Sequence, residues 1–198
     1  GYSSKQWARH PRELPASIIK RVPIRLTFDD NYFNDRYQGI PIGGYTSIFE
    51  KMLDGIPVEL NTDFHLDRET FLSKFDHVIF TGPIDSFFDY SLGHLEYRSL
   101  RFDHQLINCS DFQGNAVINH TEAQIPYTRT YEHKHFDMNF SADRSTVTYE
   151  YPDKWEPGKI EIYPVNTDEN QTLFSKYQDM TKELPNVTFG GRLGQYRY

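Results

Sequence analysis

Between Leu95 and Tyr163 the sequence breaks into short alternating runs, EYRSLRFDHQLI, NAVINHT, YTRTYEHKHF and STVTYEY, separated by Gly114, Asn115, Pro126 and Asp143. Period-two alternation bounded by turn formers is the pattern of an antiparallel sheet. The flanks read differently. Upstream, TSIFEKMLDG places Ile48, Phe49, Met52 and Leu53 on one helical face, with Thr46 as its cap and Gly55 past its end. IPVEL (56–60) then reads as a strand, DRETFLSKF (67–75) as a helix capped by Asp67, and HVIFTG (77–82) as a buried strand. Downstream, Asn166 with Glu169 three residues on reads as a capping-box start to a helix carrying Leu173, Phe174 and Tyr177 on one face, followed by a strand at NVTF (186–189). Helix and strand alternate on both sides of a sheet pattern, which predicts a mixed α/β fold of two interleaved layers rather than consecutive domains. The antiparallel sheet takes residues 1–40 and 94–163, and the α/β layer takes 41–93 and 164–198.

Within the first of these segments, RVPIRLTFDDNYFNDRYQGIPIGGY (21–45) is richer in rings, charges and glycine than a core segment needs. VPIRLTF (22–28) alternates like a half-buried strand that Pro23 confines to an edge or a start. Arg21, Arg25 and Arg36 each offer a planar fork of donors suited to phosphate oxygens, and Tyr32 and Tyr37 pair a flat face with a hydroxyl. The alternative for this stretch is a solvated polar hairpin. A loop, one helical turn and a strand entrance are expected over residues 1–20, where Tyr2 and Trp7 stand out as core anchors or as ligand-facing rings.

Composition narrows the function classes. A net charge of -7 and a pI near 5.6 argue against partners with phosphate backbones or anionic lipid surfaces, so neither nucleic acid nor a membrane is an expected partner. No stretch approaches the roughly 18 apolar residues of a membrane span. Cys109 is the sole cysteine, which rules out an internal disulfide and fits a reducing, cytoplasmic setting in which the Asn-x-Ser/Thr sequons are chance matches. Aromatics reach 16% while hydrophobic residues total only 37%, a balance that favours sheets and flat-ring ligand sites. The chain starts without Met and stops at Gln195-Tyr196-Arg197-Tyr198, so a fragment is expected.

His133-Lys134-His135 puts two imidazoles on one strand face at a metal-ligand spacing. No third ligand is evident, and hydrogen-bonded histidines are the preferred reading. Asp29, Asp30 and Asn31 lack the glycine and closing glutamate of a calcium loop. G-x-G-x-x-G, G-x-S-x-G and Walker motifs are absent. What remains is a dispersed set of arginines and tyrosines, including Arg98 and Arg129 among strand aromatics and Arg192 after Gly190-Gly191. That set suits gripping a pyrophosphate and a flat base while another agent does the chemistry. A nucleotide-binding module or a cofactor enzyme follows.

The segments VPIRLTFDDNYFNDRYQGIPIGGYT, FTGPIDSFFDY, LEYRSLRF, QGNAVIN, PYTRTYEHKHF, IYPVN and FGGRL, in this order, resemble prokaryotic UDP-galactopyranose mutase from end to end. The resemblance implies a flavoenzyme that uses reduced FAD to interconvert UDP-galactopyranose and UDP-galactofuranose, an isomerase supplying galactofuranose for cell-surface polysaccharide. In that family the flavin N5 attacks the anomeric carbon, UDP leaves, and the flavin-bound sugar recloses as the smaller ring. Carried over by motif, Tyr2 stacks on uracil, Trp7 lies beside galactose and flavin, and Arg21 and Arg129 take the diphosphate, so that Trp7, Arg21 and Arg129 are the catalytic residues the resemblance implies. Tyr32, Tyr163 and Tyr198 bond the diphosphate region, Arg98 is a further active-site arginine, Asn119 a polar contact to the nucleotide, and Arg192 and Tyr198 border the flavin. The resemblance further implies a homodimer, and it makes the α/β layer part of a Rossmann-like FAD-binding layer. The family's N-terminal glycine-rich FAD motif is absent from this sequence, so this chain is expected to supply the UDP-galactose grip and to be inactive by itself. The alternative is a non-catalytic nucleotide-sugar-binding module.

Overall fold

The computed structural model describes residues 2–7, 10, 12, 25–29, 31, 33–137 and 141–197, without the side chain of Tyr2. The fold is mixed α/β, as the alternating patterns predict. Two compact units divide the chain: residues 1–58 with 101–152, and residues 59–100 with 153–198. The chain thus passes between units after residues 58, 100 and 152, where the sequence placed the crossings after 40, 93 and 163.

The first unit holds α1 (Tyr2–Trp7), α2 (Thr46–Met52), most of β2 (Tyr97–Ile107), β3 (Val117–Asn119), β4 (Arg129–Glu132) and most of β5 (Ser145–Lys154). Its strands lie side by side in the order β3, β4, β5, β2. β3 and β5 both pair antiparallel with β4, and the register sets Asn119 opposite Arg129 and Arg129 opposite Glu150. Directly opposite residues share a sheet face, so these three side chains stand together. α2 forms where its apolar spacing predicts, but Thr46 is its first residue; Tyr45 holds the cap position without a side-chain bond. After α2 the IPVEL pattern yields no strand, and Ile56, Val58 and Leu60 are exposed. An alternating run becomes a strand only when an edge pairs with it, and among the described residues none does. Residues 22–24 of VPIRLTF lie outside the described residues. Residues 25–28 bend without forming strand, leaving Leu26 and Phe28 fully exposed.

The second unit contains α3 (Arg68–Lys74), β1 (Val78–Phe80), α4 (Ile84–Phe87), the start of β2, β6 (Tyr163–Pro164), α5 (Asp168–Thr181), β7 (Val187–Phe189) and α6 (Gly191–Gly194). β1 and β7 run parallel, Phe80 opposite Phe189. In β1 only Phe80 is buried and Ile79 is exposed, so the expected buried strand is covered on one face alone. Asp67 precedes α3 without a side-chain cap bond; Asp63 caps the preceding 3-10 turn through His65 N at 2.9 Å. The cap of α5 is Thr167, whose hydroxyl accepts from Asn170 N at 3.3 Å, one residue later than the capping-box reading placed it. Phe174 and Tyr177 on the inner face of α5 join Ile84, Leu95, Tyr97, Trp155 and Tyr196 in one core, and Phe80, Phe87 and Val187 form a second.

Candidate functional site

On the first unit's sheet, Arg129 is held from both neighbouring strands. Its Nε donates to Asn119 Oδ1 at 2.9 Å, and its Nη1 lies 3.5 Å from Glu150 Oε2. Glu150 is buried and also accepts from the Thr128 hydroxyl at 2.7 Å and from the Tyr131 hydroxyl. Burial, reinforced by the hydrogen bond to Glu150, pushes the Tyr131 hydroxyl up to about 12. A guanidinium fixed this way has lost its rotamer freedom before any ligand arrives, which lowers the cost of binding an anion. Arg101, on β2, lies 4.0 Å from the centre of the Tyr151 ring, and Tyr127 packs edge-on to Tyr149 and Tyr151. Trp7 is buried at the end of α1, and Lys5 ties that helix to the segment after β3, donating to His120 O at 3.0 Å and Glu122 O at 3.2 Å.

In the second unit Arg98 stands opposite Tyr163 across the β2–β6 pair. Arg192 donates to the carbonyl of Ile162, the residue before β6, at 3.1 Å, with its guanidinium 5.4 Å from the Tyr163 ring centre. Three buried polar side chains clamp the start of β2. Asp85 accepts from Leu95 N at 2.9 Å and from the Tyr97 hydroxyl at 3.2 Å, Asn170 accepts from Glu96 N at 3.3 Å, and the Tyr196 hydroxyl donates to Glu96 O and Val165 O. Burial pushes the Asp85 carboxyl up, against the pull of these donors.

The structure therefore brings Asn119 together with Arg129 in one unit, and Arg98 with Tyr163 and Arg192 in the other. Arg21, Tyr32 and Tyr198 lie outside the described residues, as does the side chain of Tyr2. Glu150, Tyr131 and Asp85 were not singled out in the sequence. Glu150 lies twenty-one residues from Arg129 and becomes its partner only through strand register. The histidine pair is corrected: β4 ends at Glu132 and His133–Phe136 form a 3-10 turn, so the two imidazoles do not share a strand face. His133 Nε2 meets the Thr148 hydroxyl at 2.6 Å, whereas His135 turns to Asp111 and Glu132.

A flavin site was tested against the parallel β1–β7 pair, because nucleotide cofactors sit beyond the carboxyl ends of parallel strands. Gly191 follows β7 at φ 71°, and a Cβ at Gly194 would come within 3.1 Å of Phe80 O, so backbone approaches closely there. Arg192 lies between these glycines. These residues fit the rim of a flavin site; the glycine-rich turn that cradles a pyrophosphate is not among them.

The fold and the two arginine–tyrosine patches define a mixed α/β chain with preset cations on its sheet surfaces. The chain belongs to the UDP-galactopyranose mutase family, whose model matches residues 1–198. It is 42% identical to a probable UDP-galactopyranose mutase of Klebsiella pneumoniae, over the whole chain and 51% of that protein. It is 38% identical to the dTDP-fucopyranose mutase of Escherichia coli, over the whole chain and 54% of that protein. The UDP-galactopyranose mutase of Mycoplasma genitalium is 35% identical over the whole chain and 52% of its own length. The chain spans about half the length of the curated relatives it matches. A crystal structure of reduced UDP-galactopyranose mutase shares the fold at a TM-score of 0.50 and 14% identity, over 63% of this chain and 37% of that one. Among the described residues no helix is long and apolar enough to cross a membrane.

Proposed function

We propose that this chain is the nucleotide-sugar-gripping part of an FAD-dependent isomerase that interconverts UDP-galactopyranose and UDP-galactofuranose. The observation that carries the reading is the family match along all of residues 1–198, and the preset guanidinium of Arg129 supports it. Arg129 takes the diphosphate, Arg98 is a further active-site arginine, Tyr163 bonds the diphosphate region, Asn119 adds a polar contact to the nucleotide, and Trp7 lies beside the galactose. Tyr2 stacks on uracil, and Arg21, Tyr32 and Tyr198 complete the diphosphate contacts. Arg192 and Tyr198 are the residues here that would border the flavin. Reduced FAD, when bound, supplies the electron-rich nucleophile for the anomeric carbon. The protein is read as a cytoplasmic homodimer that feeds galactofuranose to surface polysaccharides.

The likeness to the Escherichia coli mutase favours one second reading, dTDP-fucose, which differs by a methyl on the base and the loss of two hydroxyls, the ribose 2'-hydroxyl and the sugar 6-hydroxyl. The test is conversion of UDP-galactofuranose and of dTDP-fucofuranose by the whole encoded protein with chemically reduced FAD, followed chromatographically. Faster turnover of the UDP sugar is the expected result. Preference for the dTDP sugar moves the substrate assignment, and UDP binding with no flavin and no turnover makes the protein a non-catalytic binding module. Residues 1–198 alone are expected to show no turnover.

A further inference from the structure

The H-K-H run comes apart in the structure, and its second imidazole meets two carboxylates. His135 Nε2 lies 3.2 Å from Asp111 Oδ1 and 3.3 Å from Glu132 Oε2. All three donor atoms lie within 4.8 Å of one another. Asp111 comes from the loop before β3, whereas Glu132 at the end of β4 and His135 in the 3-10 turn that follows it lie on one stretch, so two segments converge within the first unit. Glu132 is fully buried and His135 mostly covered.

The two imidazole–carboxylate separations, slightly above 3 Å, are what bonds of about 2.0–2.2 Å to one shared ion require in tetrahedral or octahedral geometry. Two carboxylates this close repel each other, and a single imidazole N–H aims well at only one of them. A cation among the three answers both problems. The outer contacts of a metal centre are also present: Glu132 accepts from Ser145 Oγ, Phe112 N and Gln113 N, and Asp111 Oδ1 from Gly114 N at 2.7 Å. Lys134 turns its ammonium away, onto the carbonyls of Ser110 and Ala142.

We propose that Asp111, Glu132 and His135 form a binding site for a borderline divalent cation of the Zn2+ type, completed by water. One imidazole nitrogen with two carboxylate oxygens favours Zn2+ over Mg2+ or Ca2+, which take oxygen ligands. The bound ion ties the loop carrying Asp111 to the end of β4.

Chelator-treated protein is titrated with zinc chloride by calorimetry and with cobalt chloride by visible absorption. One equivalent of Zn2+ binds, the Co2+ adduct shows ligand-field bands, and Asp111→Asn and His135→Ala each weaken Zn2+ binding by more than about tenfold. His133→Ala, which removes the imidazole on Thr148, binds as wild type does. Both loop and turn variants change partly exposed side chains, and an unchanged far-UV spectrum confirms that they fold. Absence of saturable binding in the wild type overturns the site, as does wild-type affinity in His135→Ala or an equal loss in His133→Ala.

Discussion

The two units bury different chemistry. Among the described residues, the second buries mainly rings and aliphatic groups, with Leu95, Tyr97, Tyr177 and Tyr196 at 1% exposure or less, and fewer polar side chains, Asp85, Ser86, Ser99 and Asn170. The first buries Trp7 and Val147 beside Thr128, Thr130, Glu132, Thr148 and Glu150. An apolar core loses stability in proportion to the area and volume removed, whereas a polar interior depends on every donor keeping its acceptor. The unit with the polar interior is the one that carries Arg129.

The contrast is sharpest between two carboxyls that are both fully buried. Burial pushes each toward its neutral form, and the donors decide the outcome. Glu132 collects Ser145 Oγ, Phe112 N and Gln113 N with His135 beside it, and these outweigh burial and bring its carboxyl down to about 2. Asp85 has Leu95 N and the Tyr97 hydroxyl as its main donors, which do not offset burial, and its carboxyl is raised.

The largest stability effect is expected in the apolar unit. Tyr177→Ala removes a fully buried ring and its hydrogen bond to Gly93 O, and should cost roughly 4 kcal/mol in urea unfolding. A loss under about 1 kcal/mol would mean that the aromatic core is not what holds this unit. Glu132→Gln comes next, at about 2–3 kcal/mol, because an amide nitrogen would face backbone N–H groups that cannot reverse their role. The Glu132 carboxyl also sets an acid dependence. Its folded value lies below its ordinary 4.5, so its contribution is complete above that pH and is lost as pH falls toward about 2. In Glu132→Gln the acid limb of a stability-against-pH curve should flatten; an unchanged limb would remove Glu132 from this role.

Asp85→Asn should give the smallest effect, under about 1 kcal/mol at neutral pH, since the Tyr97 hydroxyl can turn to accept where it now donates. Its sign with pH is opposite. With the folded value raised, the Asp85 contribution is present below its ordinary 3.8 and lost as pH rises through the folded value, so the variant gains on wild type as pH rises from 4 toward neutrality. A cost equal to that of Glu132→Gln would erase the difference between the two carboxyls.

Helix α5 was legible because Leu173, Phe174 and Tyr177 repeat at helical spacing, and the structure moved only its cap, from Asn166 to Thr167. The sheet was legible from alternation. IPVEL misled because its alternation matched a strand while, among the described residues, no edge pairs with it. YTRTYEHKHF misled at its end, where the strand stops at Glu132 and the histidines separate. The partners of Arg129 were beyond reach for a different reason: Asn119 and Glu150 sit ten and twenty-one residues away, and only the antiparallel register places them opposite it. Asp85 in a four-residue helix gave no signal that it would fasten the strand carrying Arg98.

The most direct test of the account is a calorimetric titration of UDP into wild-type protein and Arg129→Ala, with folding checked by circular dichroism. Saturable binding that weakens by roughly 2–5 kcal/mol in the variant is the predicted result. Equal affinity in the two proteins would contradict the grip assigned to the Asn119–Arg129–Glu150 row.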